Sequence, residues 1–255
     1  MKRLFLPLLF ALLTASAGAG QVDHSSYDAL LHERVSFGQV DYVALREDAR
    51  LGAYLASLTA IDPSTLSQTE GIAYWLNAYN ALTLKLMTDA WPVESIQKIN
   101  DGKPFDLPLF KPLGYDKPLT LNQIENDILR KHFTEPRVHF ALVCAATSCP
   151  LLRSEAYLPD KLSTQLAGQA TAFLRDSARN RYDPATHTLR LSPVFQWYAN
   201  DFGGPDALSK FVMPFLPVPD RASMALAGRA PTVVFEDYDW SPNAAPPPEP
   251  KPPGK

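Results

Sequence analysis

The longest apolar pattern of the chain lies at residues 71–89, GIAYWLNAYNALTLKLMTD, where almost every side of a helix would be apolar. Ser67 and Glu70 precede it with the spacing of a capping box, in which two side chains satisfy the free N–H groups of a helix start. Pro92 follows its end. A helix without a polar face is usually buried, so the pattern predicts a buried central helix.

Asn77 and Asn80 interrupt this apolar pattern. Residues three positions apart share one face of a helix, and buried amides need hydrogen-bond partners. Two interpretations follow. In the first the amides tie down neighbouring loops, and in the second they contact a substrate.

The rest of the chain mixes helix and strand patterns. VHFALVC, at residues 138–144, is apolar on both faces, which is typical of a central strand. Residues 160–179 have the spacing of an amphipathic helix, YDPATHTLRLS predicts a hairpin, and TVVFEDYDW predicts a late strand. These elements predict a helix-rich α+β fold, a single domain around a small β-sheet.

The two ends of the chain differ from its middle. Lys2 and Arg3 precede an apolar stretch of about ten residues and a small-residue segment, which is the pattern of a secretory signal peptide over residues 1–20. The globular domain is expected at residues 21–243, and residues 244–255 are Pro-rich and expected to be a disordered tail. We therefore expect a periplasmic or secreted protein.

Composition limits the partners. The formal charge of the 255-residue chain is −3 and no basic run is present, which argues against nucleic acid, because phosphate binding needs clustered Lys and Arg. After signal cleavage no stretch is long and apolar enough to span a membrane. A small molecule or a peptide-like ligand is the expected partner. No cofactor or metal is predicted.

The two cysteines of the chain, Cys144 and Cys149, carry the candidate chemistry. A nucleophilic Cys149 would need a base such as His139, oriented by Asn or Glu. One argument opposes this pair. If 139–144 is a strand, His139 and Cys144 are about 17 Å apart at about 3.3 Å per residue, and the chain would have to return almost fully extended.

Other interpretations of the cysteines stay open. In an oxidising compartment two cysteines suggest a disulfide first, and a Cys-x4-Cys loop can meet the required Cα separation. A metal clip of His139, Cys144 and Cys149 is a third possibility, although alternation along a strand would send His139 and Cys144 to opposite faces. Two free buried thiols are the fourth.

Six ordered segments resemble one known family. They are WLNAYNALTLKL, LTLNQIENDILR, PRVHFALVCAATSCPLLR, AYLPDKLSTQLAGQATAFL, LSPVFQWYANDFGG and YDWSPN. Together they resemble the domain of unknown function 547 (DUF547) family over about residues 22–243, a family without an assigned reaction. The matching motif positions are Trp75, Asn77, Asn80, Glu125, Arg130, Arg137, His139, Cys149, Pro150, Arg153, Trp197, Asp201, Asp239 and Trp240.

Two classes of function are therefore carried forward. One is a periplasmic thiol-dependent hydrolase or acyltransferase that acts on an amide-type bond, for which a papain-like or transglutaminase-like fold is one expectation. Its expected catalytic residues are Cys149, His139, Glu125, Asn77 and Asn80, and its substrate-binding residues are Arg153, Trp197 and Trp240. The other is a non-catalytic domain that binds a ligand or partner and has a Cys144–Cys149 disulfide.

Overall fold

The structure, a computed structural model, describes residues 22–246. The predicted signal peptide and most of the predicted tail lie outside the described residues. At the described end of the chain, the Ala245 N–H donates to the Val40 carbonyl at 2.8 Å. Residues 244 and 245 are therefore part of the fold.

Helix α4, Gln68–Ala90, is the centre of the larger apolar core, as its sequence predicts. The Ser67 N–H donates to the Glu70 carboxylate at 2.9 Å and the Glu70 N–H donates to Ser67 Oγ at 3.4 Å, which confirms the capping box. The elements that precede α4 are α1 (Ser25–Arg34), β1 (Val35–Ser36), β2 (Gln39–Val40), α2 (Tyr42–Arg46) and α3 (Ala49–Thr59).

The predicted central strand at residues 138–144 is wrong. Pro136–Phe140 is a 3₁₀ helix, and the buried chain after it is irregular. Asn80 Nδ2 donates to the Ala141 carbonyl at 3.0 Å, and the Val143 N–H donates to Asn80 Oδ1 at 2.9 Å. A side-chain amide thus makes the hydrogen bonds that a neighbouring strand would otherwise make, so the segment is buried without a sheet.

A π-helix at Gln123–Leu129 continues into α5, Arg130–His132. Its start carries a second capping box, in which the Gln123 N–H donates to Thr120 Oγ1 at 3.1 Å. The wider turn of a π-helix is rare and is frequently found at functional sites. Glu125 lies in this turn.

The C-terminal part surrounds a smaller apolar core. Helix α6, Leu162–Arg175, is followed by an antiparallel hairpin of β3 (Arg181–Asp183) and β4 (Thr188–Leu191), and β5 (Thr232–Phe235) pairs parallel to β4. The intervening helices are α7 (Val194–Trp197), α8 (Leu208–Val212) and α9 (Val218–Leu226). The prediction of a helix-rich α+β fold with a small sheet is confirmed.

The predicted late strand ends earlier than its pattern suggests. TVVFEDYDW reads as one strand to Trp240, whereas β5 ends at Phe235. The following residues are irregular and run to the cysteine turn, where the Ser148 N–H donates to the Asp239 carbonyl at 3.1 Å. Within residues 22–246, no helix combines the length and the apolar character that crossing a membrane requires.

Candidate functional site

A cavity of about 250 Å³ is lined by residues of both apolar cores. The residues around it come from α4 and the segment after it, the π-helix and the residue before it, the 3₁₀ helix Pro136–Phe140, the chain from Leu142 to the cysteine turn, α7 with Tyr198, and the segment after β5. They are Tyr79, Gln97, Phe105, Asn122, Glu125, His139, Leu142, Cys144, Cys149, Pro150, Val194, Trp197, Tyr198, Tyr238 and Trp240.

Both sulfur atoms lie in the cavity wall. Cys144 and Cys149 form a disulfide whose Cα atoms are 6.1 Å apart. Cys149 Sγ accepts hydrogen bonds from the Cys144 N–H at 2.9 Å and from the Tyr238 hydroxyl at 3.2 Å. The same hydroxyl is 3.1 Å from Cys144 Sγ. This wall therefore offers two hydrogen-bond donors to the Cys149 sulfur.

The His139 imidazole is oriented by a carboxylate. Its Nε2 is 2.7 Å from Asp201 Oδ2, and Arg130 donates to both oxygens of Asp201, at 2.6 and 3.0 Å. The Arg130 hydrogen bonds hold the pKa of Asp201 below its usual value, so this carboxylate is ionised and can only accept. The proton of the neutral imidazole therefore lies on Nε2.

The other ring nitrogen has no such partner. His139 Nδ1 is buried and, among residues 22–246, has no hydrogen-bond partner; Glu125 Oε1 is 3.8 Å away. Burial lowers the pKa of His139 to about 4, with Asp201 opposing the shift. At neutral pH the imidazole is uncharged, and its Nδ1 lone pair is available to accept a proton.

Glu125 is a second buried ionisable group of the cavity. The Tyr79 hydroxyl donates to Glu125 Oε2 at 3.2 Å. Burial raises the pKa of Glu125 above its usual value, while hydrogen bonds from the Tyr198 and Tyr79 hydroxyls act in the opposite direction. The carboxyl is thus held in a site that disfavours its charge.

Aromatic rings form much of the wall. Tyr198 stacks on His139 with ring centroids 4.1 Å apart. Tyr238 lies against Trp197 and Trp240, with centroids 4.9 and 4.6 Å away. Trp197 is 47% exposed, so this cluster reaches the protein surface.

Comparison with known families identifies the segment that carries the cysteine turn. Residues 63–174 match a family described as "Protein of unknown function, DUF547". These residues belong to the DUF547 family. The resemblance inferred from the sequence motifs is thereby confirmed for residues 63–174. Comparisons with curated proteins and with solved structures gave no match.

The DUF547 segment supplies only part of the cavity. Cys149, His139 and Glu125 lie within it, whereas Trp197 and Trp240 come from outside the matched residues. All five of these predicted site residues line the cavity.

Three other predicted residues lie elsewhere. Asn77 and Asn80 bond the backbone within the core, and Arg153 borders a separate cleft, where it pairs with Glu155. These two amides and the guanidinium have partners in the fold and do not reach the cavity.

Asp201, Tyr79, Tyr198 and Tyr238 were missed as site residues. Asp201 is 62 positions from His139, so spacing could not reveal their contact. The position of Asp201 in a motif of the family was the sequence signal that could have identified it as a site residue.

The metal interpretation of the cysteines is not supported. Thiolates bind metals, and both sulfurs are committed to the disulfide. Within the described part of the chain, no group of three His, Cys, Asp or Glu side chains is arranged to hold a metal ion.

Proposed function

We propose that this protein is a thiol-dependent hydrolase or acyltransferase that acts on an amide-type bond. Cys149 is the nucleophile, His139 its general base, and Asp201 the residue that orients His139. The observation that supports this most strongly is the state of His139. Its Nε2 is fixed by a carboxylate, while its buried Nδ1 has no partner within residues 22–246, in a cavity that Cys149 also lines.

The surroundings of the Cys149 sulfur support the proposal. A catalytic thiolate is stabilised by nearby donors, and here the Cys144 N–H and the Tyr238 hydroxyl donate to the sulfur. The objection raised by a strand at residues 139–144 no longer applies, because the chain turns instead of extending.

The reaction requires reduction of the disulfide first. A dithiol reductant attacks one sulfur, and a second exchange leaves Cys144 and Cys149 as thiols and the reductant as a disulfide. His139 Nδ1 then accepts the Cys149 proton. The thiolate attacks the substrate carbonyl, the C–N bond breaks, and the imidazolium returns its proton to the leaving amine. Water or a second amine releases the acyl group from the thioester.

We further propose that the protein acts in the periplasm or outside the cell, with residues 1–20 as its export signal. The charged start and apolar core of that segment support the proposal. Detection of a mature chain that begins near residue 20 in an extracytoplasmic fraction tests it.

Two single-cysteine variants test the proposed nucleophile. Cys144→Ser leaves Cys149 as a free thiol, and Cys149→Ser leaves Cys144. Near pH 7 we expect a neutral electrophile to alkylate Cys149 about tenfold faster than Cys144, because only Cys149 is expected to be a stabilised thiolate. Equal rates, or a Cys149 rate no higher than that of an unstructured cysteine peptide, would contradict the nucleophile.

A ligand-binding domain without catalysis is the second candidate, and the disulfide is the observation that favours it. Alkylation after mild reduction of the folded wild-type protein separates the two candidates. If the disulfide resists reduction until the protein unfolds, the binding domain is favoured. Opening of the disulfide in the folded protein favours the enzyme.

A further inference from the structure

The charges around the cavity are unbalanced. Glu125 is the acidic side chain that lines it, and no Lys or Arg among residues 22–246 does so. Arg130 lies outside the cavity lining, 4.8 Å from the centroid of the Tyr198 ring, and its hydrogen bonds go to Asp201 and Asn126, so its charge lowers the pKa of Glu125 without a direct ion pair. A buried carboxylate without a counter-ion is unfavourable. No positively charged side chain therefore lines the cavity among the described residues, and a cationic ligand can supply that charge.

The other nearby guanidinium does not supply that charge either. Arg179 donates to the Thr147 and Ser148 carbonyls and pairs with Asp176. The side chain is absent from the cavity lining.

The composition of the wall adds a second, independent observation. Six aromatic residues line the cavity together with Glu125: Tyr79, Phe105, Trp197, Tyr198, Tyr238 and Trp240. Aromatic rings attract cations through their π faces, and groups of such rings recognise ammonium ions. A cavity that joins aromatic rings with one carboxyl is suited to a cation of low hydration.

We propose that the cavity binds an alkylammonium group, with Glu125 as its counter-ion and the aromatic wall around it. As a statement about substrate this rests on the proposed function: the amide-type substrate of Cys149 then bears an ammonium group close to the scissile bond. An anionic substrate would meet the carboxyl of Glu125 without a compensating cation. A neutral substrate would leave that carboxyl without a directly paired cation.

Two probes of nearly the same shape test the charge preference. Choline carries a quaternary ammonium, and 3,3-dimethylbutan-1-ol carries a tert-butyl group in its place. Binding to the oxidised full chain is followed by calorimetry and by tryptophan fluorescence at about pH 8, where Glu125 is more readily ionised. We expect choline to bind about tenfold tighter or more. Equal affinities, or tighter binding of the neutral probe, would overturn the proposal.

A matched pair of variants assigns the preference to the cavity. Glu125→Gln keeps the shape of the side chain and removes its charge, so the preference for choline is expected to disappear. Glu47→Gln makes the same change at a side chain that is 82% exposed, and the preference is expected to persist. Retention of the full preference in Glu125→Gln would refute the role of Glu125.

Trp197→Leu keeps the test decisive if Glu125→Gln does not fold. Trp197 is 47% exposed, so its replacement is compatible with the fold. It is expected to weaken choline binding severalfold and to change binding of the neutral probe little. Equal weakening of both probes would argue against cation–π recognition. Since these measurements use the intact disulfide, their failure leaves the nucleophile untouched, and a failure of alkylation leaves this binding result untouched.

Discussion

Two groups of buried polar side chains differ in how many of their hydrogen-bonding atoms have partners in the fold. On the α4 side, Asn77 exchanges two hydrogen bonds with the Tyr157 backbone, at 2.8 and 2.9 Å, and Asn80 does the same with Ala141 and Val143. On the cavity side, His139 bonds Asp201 through one nitrogen and leaves the other without a partner among the described residues.

This difference distinguishes a packing role from a chemical one. Both Asn side chains donate and accept, so each replaces a peptide group that a sheet would provide. His139 pairs one ring nitrogen and leaves the other available to accept. A buried polar atom without a partner is costly, and it is commonly retained where it meets a substrate or a reacting group.

The largest expected effect tests the packing half of the comparison. Asn77→Ala leaves both the N–H and the carbonyl of buried Tyr157 without partners, so we expect a loss of about 3 kcal/mol in the free energy of unfolding. Urea denaturation measures it. Asn200→Ala, at an exposed amide, is the control and should change stability by less than about 0.5 kcal/mol. A similarly small loss for Asn77→Ala would contradict its anchoring role.

A smaller effect, which depends on pH, tests whether the buried imidazole of His139 is uncharged in the folded protein. The folded-state pKa of His139 is about 4, below that of a free imidazole, so stability due to this group is present at neutral pH and is lost as pH falls. Between pH 7 and about pH 5 this loss is about 2 kcal/mol. His139→Gln should therefore lose about 2 kcal/mol less than the wild type over that interval.

The other ionisable groups near His139 are the same in the wild type and in His139→Gln. Glu125 has a raised pKa, so its contribution has the opposite sign and favours the folded state at low pH; Asp201 and Arg130 remain charged over this interval. His132→Gln, at an exposed histidine, is the matched control and should follow the wild type. An unchanged acid loss in His139→Gln would mean that this imidazole does not govern it.

Local signals in the sequence predicted the regular elements well. The capping box of Ser67 and Glu70 forms between residues three positions apart, and the apolar residues of α4 follow it directly. The local pattern is therefore sufficient to locate the helix. The hairpin of β3 and β4 forms for the same reason.

The irregular structure of residues 138–144 could not be predicted from the local pattern, because its hydrogen-bond partners are distant in sequence. Its apolar faces are buried as predicted, yet side-chain amides from α4 and α6 replace the neighbouring strands: Gln169 Nε2, for example, donates to the Phe140 carbonyl at 3.1 Å. Burial is readable from a local pattern, whereas the identity of the hydrogen-bond partner is not. The same limit applies to the cavity, where Asp201 and Tyr238 meet residues that lie far away in sequence.

The smallest expected effect tests how His139 is oriented. In the Cys144→Ser protein, Asp201→Asn can present an amide donor to Nε2, which moves the imidazole proton to Nδ1 and removes the lone pair of that nitrogen. We expect the alkylation rate of Cys149 near pH 7 to fall about tenfold, which corresponds to about 1.4 kcal/mol. The pH at which alkylation reaches half its maximum should rise, a change that a merely structural role would not produce.

Asp127→Asn is the matched control for that variant. It removes a carboxylate that pairs with Lys131 at 2.6 Å on the exposed surface. Its alkylation rate and pH profile should be those of Cys144→Ser alone, since surface ion pairs contribute little. If Asp201→Asn follows the control, Asp201 supports only the fold. The free Nδ1 would then be no better evidence for chemistry than the fully bonded amides of α4.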